Sequence, residues 1–177
     1  MKHVFSFLII GLLISPPNLK AQSDNGPLPD APTEKPSESL NWLDFGEALK
    51  AAETSGRAVM VDVYAPWCPW CQRLQKEVYE VDEIQAYLNE NFETVRLDID
   101  DAEKVIQFKG YELSAPELAS GLGAEGTPTI VFLSSTGDYI TRVPGFIEAT
   151  EFIHVLRYIN TGAFQKESFQ DYRKRNP

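Results

Sequence analysis

The segment Trp67-Cys68-Pro69-Trp70-Cys71 holds both cysteines of the chain. It follows a run of strand-forming residues, Val59-Met60-Val61-Asp62-Val63-Tyr64, and leads into a stretch with helical periodicity. Two thiols three positions apart at the start of a helix lie on one turn, so they can close a small disulfide and reopen it. Such a pair suits electron exchange better than stapling a fold. With no third cysteine, no bridge can link distant segments, and core burial alone has to hold the structure.

The N-terminus has the three parts of a secretory signal. Lys2 and His3 give a basic start, residues 4–14 are mostly apolar, and Leu19-Lys20-Ala21 offers a small residue before the cut, after the Pro16-Pro17 breaker. The apolar run is shorter than the roughly 20 residues that span a bilayer. The expected organisation is a signal peptide over 1–21, a flexible Pro/Ser-rich linker over 22–39 and one domain over 40–177. An uncleaved N-terminal anchor is the alternative. The expected location is the periplasm or the exterior. Asp and Glu outnumber Lys and Arg by 26 to 16, which argues against nucleic acid as a partner. Arg173-Lys174-Arg175 reads as a solvated tail.

Periodicity predicts a helix over 43–54, ended by Ser55-Gly56, and a buried strand over 58–64. A helix follows from Pro69 with Leu74 and Val78 on one side, then another over 82–89. A strand over 94–99 turns Val95, Leu97 and Ile99 to one face. Residues 105–111 read as a short strand or hairpin arm. Ser114 and Glu117 form a capping box for a helix that stops near Gly121 or Gly123. Strands over 129–133 and 139–143 flank a turn at Ser134-Ser135-Thr136-Gly137. Thr150 caps a helix over 151–160, and a turn or two of helix follows Gly162. This order implies an α/β fold with a mixed central sheet and helices on both faces.

Three landmarks carry a resemblance: Val61 to Cys71 through Ala65-Pro66-Trp67, Gly126-Thr127-Pro128-Thr129, and Val143-Pro144-Gly145-Phe146. In this order and at these separations they resemble the thioredoxin superfamily over about residues 42–159. The chain looks most like exported, periplasmic members with a CPWC site. The resemblance implies the thioredoxin fold and thiol–disulfide oxidoreductase activity. Two features depart from the smallest members. The region 103–119 is longer, and no first strand is evident beyond the faint candidate Leu40-Asn41-Trp42.

Under this resemblance, Cys68 is the attacking thiol, because a helix N-terminus favours thiolate. Pro69 suits the first helical position. Cys71 is the more buried, resolving thiol. Asp62 matches the family's buried acid, with a pKa raised by desolvation, and accepts the proton of Cys71. Arg96 lies where a basic residue accompanies that acid, and either pairs with it or points outward. Thr127-Pro128 matches a cis-proline loop whose backbone pairs with a substrate strand, and Gly145 a glycine that lets substrate approach. Trp67 and Trp70 form an apolar docking surface beside the thiols.

Zinc needs two more ligands than the pair supplies, and the only histidines are His3 and His154. Gln72 stands where haem attachment requires His. No nucleotide or metal cofactor is implied. The reading is a monomeric disulfide reductase acting on protein disulfides and fed by a membrane thiol donor. The alternatives are a disulfide-donating oxidase or isomerase, and a non-catalytic binding module on the same scaffold.

Overall fold

The computed structural model describes residues 39–177. The expected signal over 1–21 and, but for its last residue, the linker over 22–39 lie outside the described residues. Strand β2 (Ala58–Tyr64) runs through the middle of a five-stranded sheet whose order is β1 (Trp42–Leu43), β3 (Phe92–Asp98), β2, β6 (Thr129–Leu133) and β7 (Tyr139–Pro144). Side chains alternate across a strand, and β2 feeds two cores by that rule. Val59, Val61 and Val63 join one cluster, while Met60 joins the other. Asp62 shares the Met60 side of the alternation.

Strands β1 and β3 are parallel to β2, whereas β6 and β7 form an antiparallel hairpin on its other side. On the Val61 face lie α1 (Phe45–Ser55) and α4 (Ala115–Gly121), bringing Phe45, Ala48, Ala52 and Leu118. On the Met60 face lie α2 (Pro69–Leu74), a π-helical turn (Gln75–Tyr79), α3 (Asp82–Asn91) and α5 (Ala149–Asn160), bringing Leu74, Val78, Leu88, Phe152 and Leu156. The structure thus has the thioredoxin fold, with a mixed sheet and helices on both faces.

Several boundaries differ from the sequence expectations, each for a local reason. The first helix starts at Phe45, not at 43, because the Asp44 carboxylate accepts the Gly46 N–H at 2.9 Å and caps it. Leu43 is thereby left to β1, whose register against Thr94 and Val95 supplies the strand that was barely visible in sequence. Helix α5 begins at Ala149 rather than after a Thr150 cap. The Glu148 carbonyl already accepts the N–H groups of Glu151 and Phe152 at 3.0 and 2.9 Å. Helix α3 continues to Asn91 before the chain turns directly into β3.

The ambiguous stretch 105–111 forms one arm of a hairpin, β4 (Ile106–Phe108) and β5 (Tyr111–Leu113), in a separate two-stranded sheet. Lys109 and Gly110 make its tip at φ 50° and 84°, the positive angles that a two-residue hairpin turn of this kind needs. The Ser114–Glu117 capping box starts α4 as expected. Beyond Gly162 the chain adds a 3-10 turn (Ala163–Gln165) and α6 (Phe169–Arg175), whose Phe169 and Tyr172 pack on Tyr158.

Phe132 on β6 is fully buried and stacks near Phe92 with ring centroids 5.8 Å apart. Phe132→Ala is expected to lower unfolding stability by about 3–5 kcal/mol in urea titration. Tyr139→Ala, at a side chain 49 % exposed on edge strand β7, should change it by less than about 0.5 kcal/mol.

Candidate active site

Strand pairing gathers the site at one end of the sheet. Val63 near the end of β2 pairs with Thr129 at the start of β6, Thr129 pairs with Pro144 at the end of β7, and Tyr64 pairs with Asp98 at the end of β3. The loops that leave these ends carry Trp67 and Cys68, Thr127 and Pro128, Gly145, and Asp100. Crevices at strand ends of this kind are where α/β sheets hold their reactive groups.

Cys68 and Cys71 form a disulfide with Cα atoms 5.3 Å apart. Cys68 occupies the N-cap of α2 with extended backbone, and Pro69 follows inside the first turn, where its missing N–H costs no bond. The Cys71 N–H donates to Cys68 Sγ at 3.1 Å, so the sulfur stands in for a capping oxygen. A sulfur so placed meets the unpaired N–H groups and positive end of the helix, which stabilise thiolate once the bond is reduced. The expectation that Cys71 is the more buried does not hold in this oxidised form: Cys68 and Cys71 are 2 % and 3 % exposed. The two are buried together with Ala65.

Asp62 is 1 % exposed in the middle of β2. It is therefore not a solvent-facing acid. Arg96, its neighbour in the parallel β2–β3 register, donates from Nε to Asp62 Oδ2 at 3.1 Å. Of the two orientations open to Arg96, the structure has the paired one. Its guanidinium also lies over the Tyr64 ring at 4.1 Å and the Trp42 ring at 5.3 Å. Burial pushes the Asp62 carboxyl up to about 6, against the opposing pull of the Arg96 charge and hydrogen bond. A cavity of about 380 Å³ lined by Tyr64, Pro66, Cys71, Gln72, Gln75 and Arg96 opens behind the disulfide. It places Cys71 and the partner of Asp62 on one wall.

The Thr127–Pro128 bond is cis. Gly145 N–H donates to the Pro128 carbonyl at 2.8 Å, and Thr129 Oγ1 donates to the Gly126 carbonyl at 2.6 Å. These bonds fix the loop against β7. Gly145 has φ 79°, a left-handed backbone that disfavours any other residue, and the space beyond it is open. Thr127, Pro128 and Gly145 line a second cavity of about 250 Å³.

Trp67 and Trp70 are 66 % and 53 % exposed, so neither is a core residue. Three of their contacts are invisible to local sequence reading. Trp67 Nε1 donates to Asp100 Oδ2 at 2.7 Å. Trp70 packs on Phe146 at 5.8 Å between ring centroids, linking α2 to the loop after β7. Arg73 lies over both rings, 5.3 Å from Trp70 and 4.4 Å from Phe146, and is itself held by Glu77 at 2.8 Å. Asp100 and Phe146 are far from their partners in sequence, and Trp70–Arg73 is an i,i+3 pair whose contact the helical spacing permits without specifying. Among the described residues no cluster of three or more His, Cys, Asp or Glu side chains is arranged to hold a metal. Nor, among them, is any helix long and apolar enough to cross a membrane.

A thioredoxin-like domain model matches residues 45–160. The thiol:disulfide interchange protein DsbD of Yersinia pestis is 33 % identical over 119 residues, covering 65 % of this chain. That match takes in only 18 % of the relative, so the chain spans under a fifth of its length. Among solved structures, a thioredoxin-fold protein from Helicobacter pylori superposes with TM-score 0.60 at 28 % identity, over 68 % of this chain and 80 % of its own. A thioredoxin from Thermus thermophilus does so with TM-score 0.56 at 30 % identity, over 69 % and 88 %. With the family match running from α1 through α5 and a disulfide capping the helix after the central strand, the chain belongs to the thioredoxin-like domain family.

Proposed function

We propose that the protein is an exported disulfide reductase that works through the Cys68–Cys71 couple, with Asp62 as the proton acceptor of the resolving step. The observation that carries this reading is the pairing of a helix-capping sulfur with a buried carboxylate of raised pKa on the adjoining strand. In the reduced protein, Cys68 thiolate attacks one sulfur of a substrate disulfide. The substrate bond breaks, a Cys68–substrate bond forms, and the first substrate sulfur leaves and takes a proton. Cys71 then gives its proton to Asp62, and its thiolate attacks Cys68 Sγ. The second substrate sulfur leaves, the Cys68–Cys71 disulfide forms, and the substrate has gained two electrons. A raised Asp62 pKa suits this role, because a base poised near neutrality can both take the proton and release it.

The docking surface comprises Trp67, Trp70 and Pro69 on one side of the thiols and Thr127, Pro128 and Gly145 on the other. A substrate strand pairs with the backbone of Thr127 while its apolar side chains cover the tryptophans. The substrates are proteins with accessible disulfides, met by a monomer in the periplasm. Re-reduction draws on a membrane thiol donor, a partner for which the match to thiol:disulfide interchange proteins gives support. The raised acid favours reductase over oxidase. Indole at position 70 also offers no positive charge to hold the reduced pair as thiolate, as an imidazolium would.

Cys68→Ser should abolish insulin reduction, and Cys71→Ser should accumulate Cys68-linked mixed disulfides on non-reducing gels. A binding module would show no insulin reduction in the unsubstituted protein, and Cys68→Ser would change nothing. Equilibration with glutathione should give a potential of about −270 mV. A value of about −120 mV would make the protein an oxidant. Between pH 3.8 and about 6, native Asp62 keeps a proton that the unfolded chain has lost. Stability of the oxidised protein should therefore fall as pH rises across that window, by on the order of 3 kcal/mol, and stay level above it. Asp62→Asn should flatten that slope in urea titrations and slow resolution of the mixed disulfide at pH 7 by on the order of 10²-fold.

A further inference from the structure

Tyr79 is fully buried, and no acceptor lies at ordinary hydrogen-bond distance and angle from its hydroxyl. Leaving a buried hydroxyl without a partner forfeits its bond to water with nothing in exchange. Phenylalanine would fill the same space without that cost, since the ring itself is well packed. It meets Trp42 edge-on at 5.5 Å and Phe152 at 6.0 Å. Packing therefore accounts for the ring and not for its oxygen.

The backbone also goes out of its way to bring this ring inward. Residues 75–79 form a π-helical turn, closed by the Glu80 N–H donating to the Gln75 carbonyl at 3.1 Å. In an uninterrupted α-helix, a residue five places after Leu74 points about 140° away from it. The wider turn returns Tyr79 to the buried side along with Leu74 and Val78. Such single turns recur at functional sites.

A second orphan faces the first. Arg96 occupies Asp62 Oδ2, while Asp62 Oδ1 is buried and makes no hydrogen bond. Asp62 and Tyr79 are near enough that each shifts the other's ionisation through charge and through side-chain hydrogen bonding: the phenol pulls the carboxyl down, and the carboxylate pushes the phenol up. One atom is an acceptor and the other belongs to a donor. The other surroundings of Asp62 leave no competitor: Arg96 from β3 is committed to Oδ2, Tyr64 on the same strand stacks on Arg96, and Ile130, opposite on β6, is apolar. Lys76 and Glu80 lie with Arg96 along the cavity behind Cys71.

We propose that Tyr79 is a positioning residue for Asp62, its hydroxyl donating to Oδ1 of the charged carboxylate and so stabilising the form that accepts the proton of Cys71. Arg96 and Tyr79 then hold one oxygen each. Burial raises the Tyr79 phenol well above its ordinary range, so it stays a donor at every pH at which the protein works. The mechanistic part of this inference rests on Asp62 being the proton acceptor; the Tyr79–Asp62 bond itself does not.

The test follows the Asp62 carboxyl carbon by NMR in the oxidised full chain across pH 4–9, in the unsubstituted protein and in Tyr79→Phe. Loss of the donor should raise the Asp62 midpoint by at least about half a pH unit, roughly a threefold gain in proton affinity. The pH midpoint for mixed-disulfide resolution should rise with it. An unchanged or lowered Asp62 midpoint in Tyr79→Phe overturns the proposal. A measurement without substitution guards against a variant that folds poorly. The Tyr79 Cζ resonance should titrate with the Asp62 midpoint, and a flat Cζ profile also overturns the bond. Asp62→Asn separates the two readings. If the resolution step keeps its pH inflection in that variant, Asp62 is not the proton acceptor, while the Tyr79–Asp62 bond still stands or falls on the NMR midpoints.

Discussion

Burying one carboxylate in the middle of the central strand sets the terms for the structure around it. A charge at Asp62 has to be compensated on the spot, and the parallel register of β2 and β3 does so by seating Arg96 beside it. Arg96 in turn keeps a quarter of its side chain in contact with solvent and lays its guanidinium plane on two aromatic rings. The charge is therefore partnered without being wholly desolvated, which avoids the worst penalty of a buried ion pair. The remaining cost is met by packing on both sides of the sheet. The disulfide contributes little to that, since it spans three positions and constrains almost none of the unfolded chain. This fold is held by its two cores, and its one covalent bridge is left available for chemistry.

The reactive end of the sheet is assembled from loops that are individually tethered. Trp67 is tied to the loop after β3 through Asp100, Trp70 to the loop after β7 through Phe146, and Pro128 to Gly145 by a backbone bond. Each tether joins a different pair of strand ends. The exposed aromatic surface is thus held in place from several sides, which limits the side-chain entropy lost when a partner docks.

Much of this was legible in the chain because the signals were local. The apolar run of β2, the CPWC segment at a strand–helix boundary and the Ser114–Glu117 capping box each depend on residues close in sequence, and each lies where it was expected. What escaped depends on distant groups. A two-residue β1 has no periodicity to detect and exists because β3 offers a ladder for it. The π-helical turn has no compositional mark, since its hydrogen bonds follow from how Val78 and Tyr79 pack. Arg96 was ambiguous because alternation along β3 gives its face and not its partner; the β2–β3 register supplies that. The equal burial of the two cysteines depends on how α2 seats against Ala65, which no residue pattern specifies.

Trp42 stands at the entrance to the domain and touches both Arg96 and Tyr79, the two groups on either side of the buried acid. Its strand is held to the sheet by only two residues of parallel pairing. Because this indole packs on the same core that holds Tyr79, displacing it would act on the cation, the phenol and that core together. The point where the chain joins the sheet is thereby mechanically continuous with the surroundings of the buried acid, although it lies far from the thiols in sequence.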